Sequence, residues 1–236
     1  LSIIESVLGT IVGGSILDVA TQEGHFVEIL MKYLKSYTEI VGIDIDEEAI
    51  DSAQSSLGQA NIRFQIMDAR RLNFKEACFD TVSISASLHH LSNIPKVLSE
   101  MFRVLKPGGR FIIIEMHRDG STAAELTSVY LHHWVAEVDS ALGYLHNKTL
   151  EPQEFADYVS DLGLRDIAYY YDNELGSNPK AQTRIEQLDN LIDRTIQRAE
   201  SASIDKKTVK RGQQLRRRLH KIGAQREPII LIVGVK

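Results

Sequence analysis

The first half of the chain repeats one alternation that leaves few folds open. Short apolar runs at 16–20, 40–45, 62–67, 81–86 and 111–116 are separated by segments whose apolar residues recur at helical spacing. Between the first two runs lie Phe26, Val27, Ile29, Leu30, Met31 and Leu34. Between the last two lie Ile94, Val97, Leu98, Met101, Phe102 and Leu105, a helix that Pro107-Gly108-Gly109 is expected to stop. Asp46 stands where an N-cap would open a helix through about Leu57. Strands alternating with helices make βαβ units and a mainly parallel sheet, with helices on both faces. The fold class expected is therefore α/β and doubly wound. Ligands of such sheets bind outside the carboxyl ends of the strands, where the strand order reverses. The positions that matter are 20–24, Asp44, Asp68, 85–90 and 115–117.

The second half is less regular. Residues 123–145 read as one long helix with an apolar stripe at Leu131, Val135, Val138, Leu142 and Leu145. Pro152 opens another helix that ends near Gly163, and 164–171 and 228–235 read as strands. Between those strands lie two helical segments, one carrying Ile185, Leu188, Ile192, Ile196 and Ala199, the other Val209, Leu215, Leu219 and Ile222. Each has a single apolar face, so they are predicted to pair as a helical hairpin, an insertion at 177–227. All of 1–236 is read as one domain.

Composition narrows the class. Apolar residues at 43% and charged residues at 25% exclude a mostly disordered chain. One cysteine, Cys78, excludes an internal disulfide framework and a Cys-rich zinc site, and makes a reducing, cytoplasmic compartment the default. The longest apolar runs, 111–114 and 229–233, fall far short of a membrane span, so no membrane role is expected. No basic leader precedes Glu5, so no signal peptide is expected; the chain starts at Leu1, not Met, so native residues are expected to precede it. A net charge of −5 argues against a generally basic, nucleic-acid-binding surface. The exception is 204–227, with nine Lys/Arg against Asp205 and Glu227. It is read as a solvated helix face; an RNA-contacting patch is the alternative, weakened because no aromatic residue lies within it to stack a base.

Three residues close strands in a way that suits a nucleoside. Asp44 ends the second strand 20 residues after Gly24, where an acid accepts from both hydroxyls of a ribose. The turn before the first helix brings backbone N–H groups towards a ligand. Asp68 closes the third strand and can accept from an exocyclic amine, and Ser85 closes the fourth, facing the centre of the site.

These pieces, in order, resemble the class I S-adenosylmethionine-dependent methyltransferases. They are the Asp18–Gly24 turn, Val41-Gly42-Ile43-Asp44, Met67-Asp68-Ala69, Phe79-Asp80-Thr81-Val82 through Leu88-His89-His90-Leu91, and Val104-Leu105-Lys106-Pro107-Gly108-Gly109-Arg110-Phe111. The Leu-Lys-Pro-Gly-Gly turn is most like the small-molecule branch that includes the ubiquinone and menaquinone methyltransferases. The resemblance implies a Rossmann-like sheet of seven strands, the last antiparallel to the others, with 164–171 and 228–235 as its sixth and seventh. It implies S-adenosylmethionine as cofactor, leaving as S-adenosylhomocysteine, with the methionine end against Ala20, Thr21, Gln22 and Gly24. It further implies ribose on Asp44, Ile45 on one adenine face, Asp68 and the Ala69 backbone at the adenine edge, and Ser85 with Ala86 near the sulfonium. A helical insertion at 117–163 would cover the acceptor site.

The family turn carries Gly at the positions of Ala20, Gln22 and Gly24, and only the last is Gly here. Gln22 either hydrogen-bonds the cofactor carboxylate or weakens binding. The second outcome keeps a catalytically inactive, methyltransferase-like binding protein as an alternative to the enzyme; an RNA methyltransferase is the other. For catalysis, His89 is the leading candidate near the acceptor and His117 the next, because an imidazole titrates near neutral pH. Tyr130, His133 and Trp134 are read either as acceptor contacts or as ordinary helix packing. His133 and Glu137 share a helical face at metal-pair spacing, but no third ligand is evident, so no metal is expected. The expected function is methyl transfer to a small molecule. The acceptor and the oligomeric state are not legible.

Overall fold

The computed structural model describes residues 3–120, 122–172 and 177–236. A first helix, α1 (Ile3–Leu8), leads into β1 (Ser15–Val19), α2 (His25–Tyr33), β2 (Glu39–Asp44), α3 (Glu47–Leu57), β3 (Ile62–Ile66) and β4 (Phe79–Ser85). A 3-10 turn, Leu88–His90, separates β4 from α4 (Ile94–Val104), and β5 (Leu105–Met116) follows. The chain continues through α5 (Ala123–Ala141), α6 (Pro152–Ser160), β6 (Arg165–Asp172), α7 (Gln182–Ser201), α8 (Lys206–Ile222) and β7 (Ile229–Val235).

The seven strands form one sheet in the order β3-β2-β1-β4-β5-β7-β6. The first five pair in parallel. β7 runs antiparallel between β5 and β6. The sheet is therefore the one the resemblance implies. Strand order reverses between β1 and β4, which places the ligand crevice at their carboxyl ends. Side chains alternate between two buried faces. Ile16 and Ile40 meet Val27, Leu30, Ile50 and Ala53 of α2 and α3. Leu17, Val19, Val41 and Ile43 share the opposite core with Val97 and Met101 of α4 and Phe155 and Val159 of α6. Burial on both faces is why these strands read as continuous apolar runs.

Two helix ends differ from the sequence reading. α4 ends at Val104, before Pro107-Gly108-Gly109, and Leu105 already pairs with Phe79 at the start of β5. The Lys236 ammonium donates to the Phe102 and Leu105 carbonyls at 2.6 and 2.8 Å, satisfying acceptors left free at the helix end. α5 stops at Ala141 instead of running to 145. Gly143 takes a left-handed conformation (φ 91°), and the Tyr144 N–H closes the turn on the Asp139 carbonyl at 3.0 Å. Residues 144–150 then run irregularly across the strand ends to a parallel bridge between Leu150 and His117.

α5, α7 and α8 build a third apolar layer around Leu131, Trp134, Val138, Ile185, Ile192 and Leu219. α8 approaches so closely that a Cβ on Gly212 would overlap the Trp134 indole, whose Nε1–H donates to the Thr208 carbonyl at 2.9 Å. The basic segment divides here. Arg211 pairs with Glu137 at 2.7 Å, Arg216 with Asp189 and Asp193, and Arg226 with Asp172 at 2.9 Å. Arg218 donates to the Ala123 carbonyl. Lys206, Lys207, Lys210, Arg217 and Lys221 are exposed. The solvated-face reading thus holds for the lysines and Arg217, whereas Arg211, Arg216 and Arg218 fasten α8 to its neighbours and Arg226 ties the segment after it to β6.

Gly212→Ala separates propensity from packing. Helix propensity alone would stabilise the variant by about 1 kcal/mol. Overlap with Trp134 costs roughly 1–3 kcal/mol, so the expected net effect is destabilisation. Urea unfolding measures the sign directly.

Candidate active site

The cleft lies where the topology puts it, outside the carboxyl ends of β1, β2 and β4. Its main volume is about 820 Å³, bounded by Ala20, Gln22, Asp44 and Ile45 on one side and by Ser87, His90, Leu91, Tyr144, Leu145 and His146 on the other. A recess of about 170 Å³ adjoins it, shared by Ala20, Asp44 and Ile45 and continued by Met67, Asp68, Ala69 and Arg70.

The turn after β1 keeps the shape of a glycine turn with only one glycine. Ala20, Gln22 and Gly24 all have positive φ, at 54°, 50° and 84°. A non-glycine residue there costs about 1–2 kcal/mol, and several contacts hold the strained form. The Thr21 N–H donates to the Ile43 carbonyl at 2.9 Å, and the Gln22 N–H to Asp44 Oδ2 at 2.9 Å. The Thr21 hydroxyl donates to Asp18 Oδ2 at 2.7 Å, while the Ser83 hydroxyl donates to Asp18 Oδ1 at 2.8 Å. Burial pushes the Asp18 carboxyl up to about 6, against the pull of those two hydroxyls. Thr21 is buried and turned towards Asp18, and Gly24 caps α2, so neither side of that turn reaches the cleft through these residues. The sequence reading missed Asp18 as the anchor.

Asp44 also accepts from the Asp46 N–H at 3.1 Å. Each of its oxygens therefore holds one backbone donor and keeps a further acceptor site. Ile45, beside it, is 72% exposed, an uncovered apolar side chain on the cleft rim. Asp68 is already engaged. Arg70 grips it through Nε and Nη2, the latter at 2.7 Å, and those bonds hold its carboxyl below the usual range. The pair is exposed, so separating it costs under about 1 kcal/mol. Ser85 does not line the cleft; its carbonyl accepts from Ser87, which does.

Met67 to Phe74 are strapped from α4. Glu100 accepts from the Leu72 N–H at 3.0 Å, and Arg103 donates to the Leu72 and Phe74 carbonyls at 2.8 and 2.9 Å. The Arg103 guanidinium holds the Glu100 carboxyl down to about 2.

The histidines correct the sequence reading. His89 is 3% exposed, with Nδ1 against Glu115 Oε1 at 3.1 Å, and it faces His132 and His146 behind the cleft wall. Burial there removes it as the group touching an acceptor. His117 is 3% exposed and edge-on to Tyr171, away from the cleft; neither ring nitrogen has a hydrogen-bond partner among the described residues, and burial lowers its basicity. Two imidazoles line the cleft, His146 and His90, and His90 is the one that neighbours the strand-end residues. Burial and the adjacent His89 hold it below the usual range, and its Nδ1 faces the Leu145 carbonyl at 3.2 Å, which leaves Nε2 with the lone pair. Tyr130, His133 and Trp134 do not line the cleft. Trp134 is core, Tyr130 lies under Arg218, and His133 faces Thr149 at 2.8 Å. His133 and Glu137 do not form a metal pair, since Glu137 accepts from Arg211 and Thr208. Tyr144 and Leu145 were hidden because their segment read as helix.

A protein-family model described as a methyltransferase domain matches residues 17–113. Demethylmenaquinone methyltransferase of Deinococcus radiodurans is 32% identical over 163 residues, which span 64% of this chain and 67% of that protein. The chain belongs to the class I S-adenosylmethionine-dependent methyltransferases. 2-Phytyl-1,4-naphtoquinone methyltransferase of Synechococcus elongatus is 31% identical over 134 residues, 55% of this methyltransferase and 58% of that one. The fold matches YcgJ of Bacillus subtilis with a TM-score of 0.61 at 18% identity, covering 99% and 96% of the two chains. It also matches Haemonchus contortus phosphoethanolamine N-methyltransferase 2 in complex with S-adenosyl-L-methionine, with a TM-score of 0.61 at 17% identity over 99% of this chain and 51% of that one. S-adenosylmethionine is the cofactor of this methyltransferase. The cleft fits it: a backbone turn held open, a carboxylate with free acceptor sites and an uncovered aliphatic side chain stand side by side. No helix among the described residues is long and apolar enough to cross a membrane.

Two measurements check the local energetics. Gln22→Gly relieves the positive φ but adds chain entropy to the unfolded state, so a net gain of about 0.5–1 kcal/mol is expected in urea unfolding. Glu100→Gln is expected to cost on the order of 1–2 kcal/mol at pH 7, after solvent screening of this partly exposed network. Because the folded carboxyl is depressed from 4.5 to about 2, that stability is present above pH 4.5 and is lost as pH falls towards 2. The variant should lack this part of the acid transition.

Proposed function

We propose that this methyltransferase acts on a small, flat, largely apolar molecule carrying an ionisable hydroxyl, of the hydroquinone class. The observation that carries the reading is the wall opposite Asp44 and Ile45. Tyr144 and Leu145 are 65% and 47% exposed there, unusual for large apolar side chains, and His90 stands beside them. Exposed apolar surface on a cleft marks a binding wall, and a neutral imidazole beside it can take a proton. The names of the demethylmenaquinone and phytyl-naphthoquinone relatives fit an acceptor of that kind.

In this reading the Ala20–Gly24 turn faces the methionine end of the cofactor and Asp44 accepts the ribose hydroxyls. Ile45 covers one face of the adenine, and Asp68, once released by Arg70, takes its amine beside the Ala69 backbone. When bound, the cofactor supplies an activated methyl group on a positive sulfur. The protein's part is alignment, a dry wall and a proton acceptor. His90 Nε2 takes the acceptor's hydroxyl proton. The inactive-homologue reading loses its motive, because Gln22 adopts the backbone form that the glycine would.

Calorimetric titration with S-adenosylmethionine and S-adenosylhomocysteine tests the cofactor half. Asp44→Ala should weaken both by at least about 100-fold, since charge-assisted hydrogen bonds contribute on the order of 1.5–3 kcal/mol each. Its stability should fall by about 1 kcal/mol, because the Gln22 and Asp46 N–H groups lose their acceptor. With demethylmenaquinone reduced to its hydroquinone, His90→Ala should lower kcat by about 10²–10⁴-fold at unchanged cofactor affinity. Equal cofactor affinity in Asp44→Ala, or equal kcat in His90→Ala, rejects the corresponding half.

A further inference from the structure

At the acceptor wall, which His146 lines, and behind it, three imidazoles from separate parts of the chain converge. His89 comes from the turn after β4, His132 from α5 and His146 from the irregular segment after it. One ring nitrogen of each lies within 4.8 Å of the others. We propose that His89, His132 and His146 form a binding site for a divalent transition-metal ion of the zinc class, which ties these three elements together behind the cleft.

The spacing suits such an ion. His132 Nε2 and His146 Nε2 are 3.2 Å apart. Zinc–imidazole bonds are about 2.0–2.1 Å, so two ligands on a tetrahedral ion stand about 3.3–3.4 Å apart. The His89 nitrogen lies within 4.8 Å of the other two, and metal binding would draw it in to the same centre.

A second, independent observation is the outer ring of carboxylates. His89 Nδ1 faces Glu115 Oε1 at 3.1 Å, and His146 Nδ1 faces Asp139 Oδ2 at 2.7 Å. Each carboxylate is itself fixed, Glu115 by the Leu88 and Met116 N–H groups and Asp139 by Arg198. A carboxylate at Nδ1 holds the proton there and aims the Nε2 lone pair inward, the arrangement that orients and strengthens metal-binding histidines. Two lone pairs directed at one point need either a proton or a cation between them. Three imidazoles, with no carboxylate in the ligand set among the described residues, select zinc, cobalt or nickel over magnesium or calcium. The sequence concealed the set because residues 89, 132 and 146 share no motif spacing.

The test uses the full chain stripped with a chelator. Zinc is titrated in competition with a chromophoric chelator, and cobalt(II) is followed by its visible ligand-field bands. One ion per chain is expected, with the intense bands of a four-coordinate cobalt centre. His132→Ala and His146→Ala should each lower zinc affinity by at least about 100-fold, and Glu115→Gln by about 10–100-fold. His133→Ala, whose ring faces Thr149, should bind as the parent does. Zinc should raise the Tm of the parent and not of His132→Ala. If the parent takes up neither zinc nor cobalt at micromolar concentrations, the cluster is a stack of neutral imidazoles sharing one N–H···N bond, and the proposal is wrong. Unchanged affinity in a folded His132→Ala variant also overturns it.

Discussion

The buried carboxylate of Asp18 sits at the point where the sheet reverses its strand order, and the cleft is arranged around it. One oxygen accepts from Thr21 in the turn after β1; the other accepts from Ser83 in β4. The two strands that flank the crevice are thereby joined to the turn that borders the cleft. Without Thr21 held down, the left-handed conformations at Ala20 and Gln22 would cost more than the turn alone could offset. Placing an acid inside the sheet is unfavourable, as its raised proton affinity records. That unfavourable burial is the kind of local cost a functional site retains.

The same device recurs along the carboxyl edge of the sheet. Asp44 accepts from the turn after β1, Glu100 from the segment after β3, and Glu115 from the segment after β4. Each of these three loops is held by an acid on a neighbouring strand or helix, through a backbone N–H. A charge-assisted bond to a backbone donor constrains the chain irrespective of the side chains around it. The loops can therefore present Gln22, Ala69 or His90 to the cleft while their backbone stays fixed. On the far side, arginines do the equivalent work between helices, with Arg211 and Arg216 joining α8 to α5 and α7. Part of the positive segment, Arg211, Arg216 and Arg226, is thus a complement to acids elsewhere in the chain.

The sequence by itself determined the parallel sheet, because strands buried on both faces must be continuous apolar runs and the helices between them must be one-sided. It also determined that Ala20, Asp44, Ile45 and Asp68 border the cleft, because they sit directly at strand ends, where chain order alone dictates position. It could not determine where α5 stops, since Leu142 and Leu145 continue the helical period and only the turn at Gly143 breaks it. That break decides the opposite wall. It frees Tyr144, Leu145 and His146 to cross the strand ends, and it brings His146 to His89 and His132. Tertiary structure alone also decided which of two adjacent histidines faces the cleft. A 3-10 turn sends His89 inward to Glu115 and leaves His90 on the surface of the cavity, a difference of one residue that no periodicity records. Strand-end residues are placed by the local period of the chain, whereas the histidines and the crossing segment are placed by contacts between residues tens of positions apart.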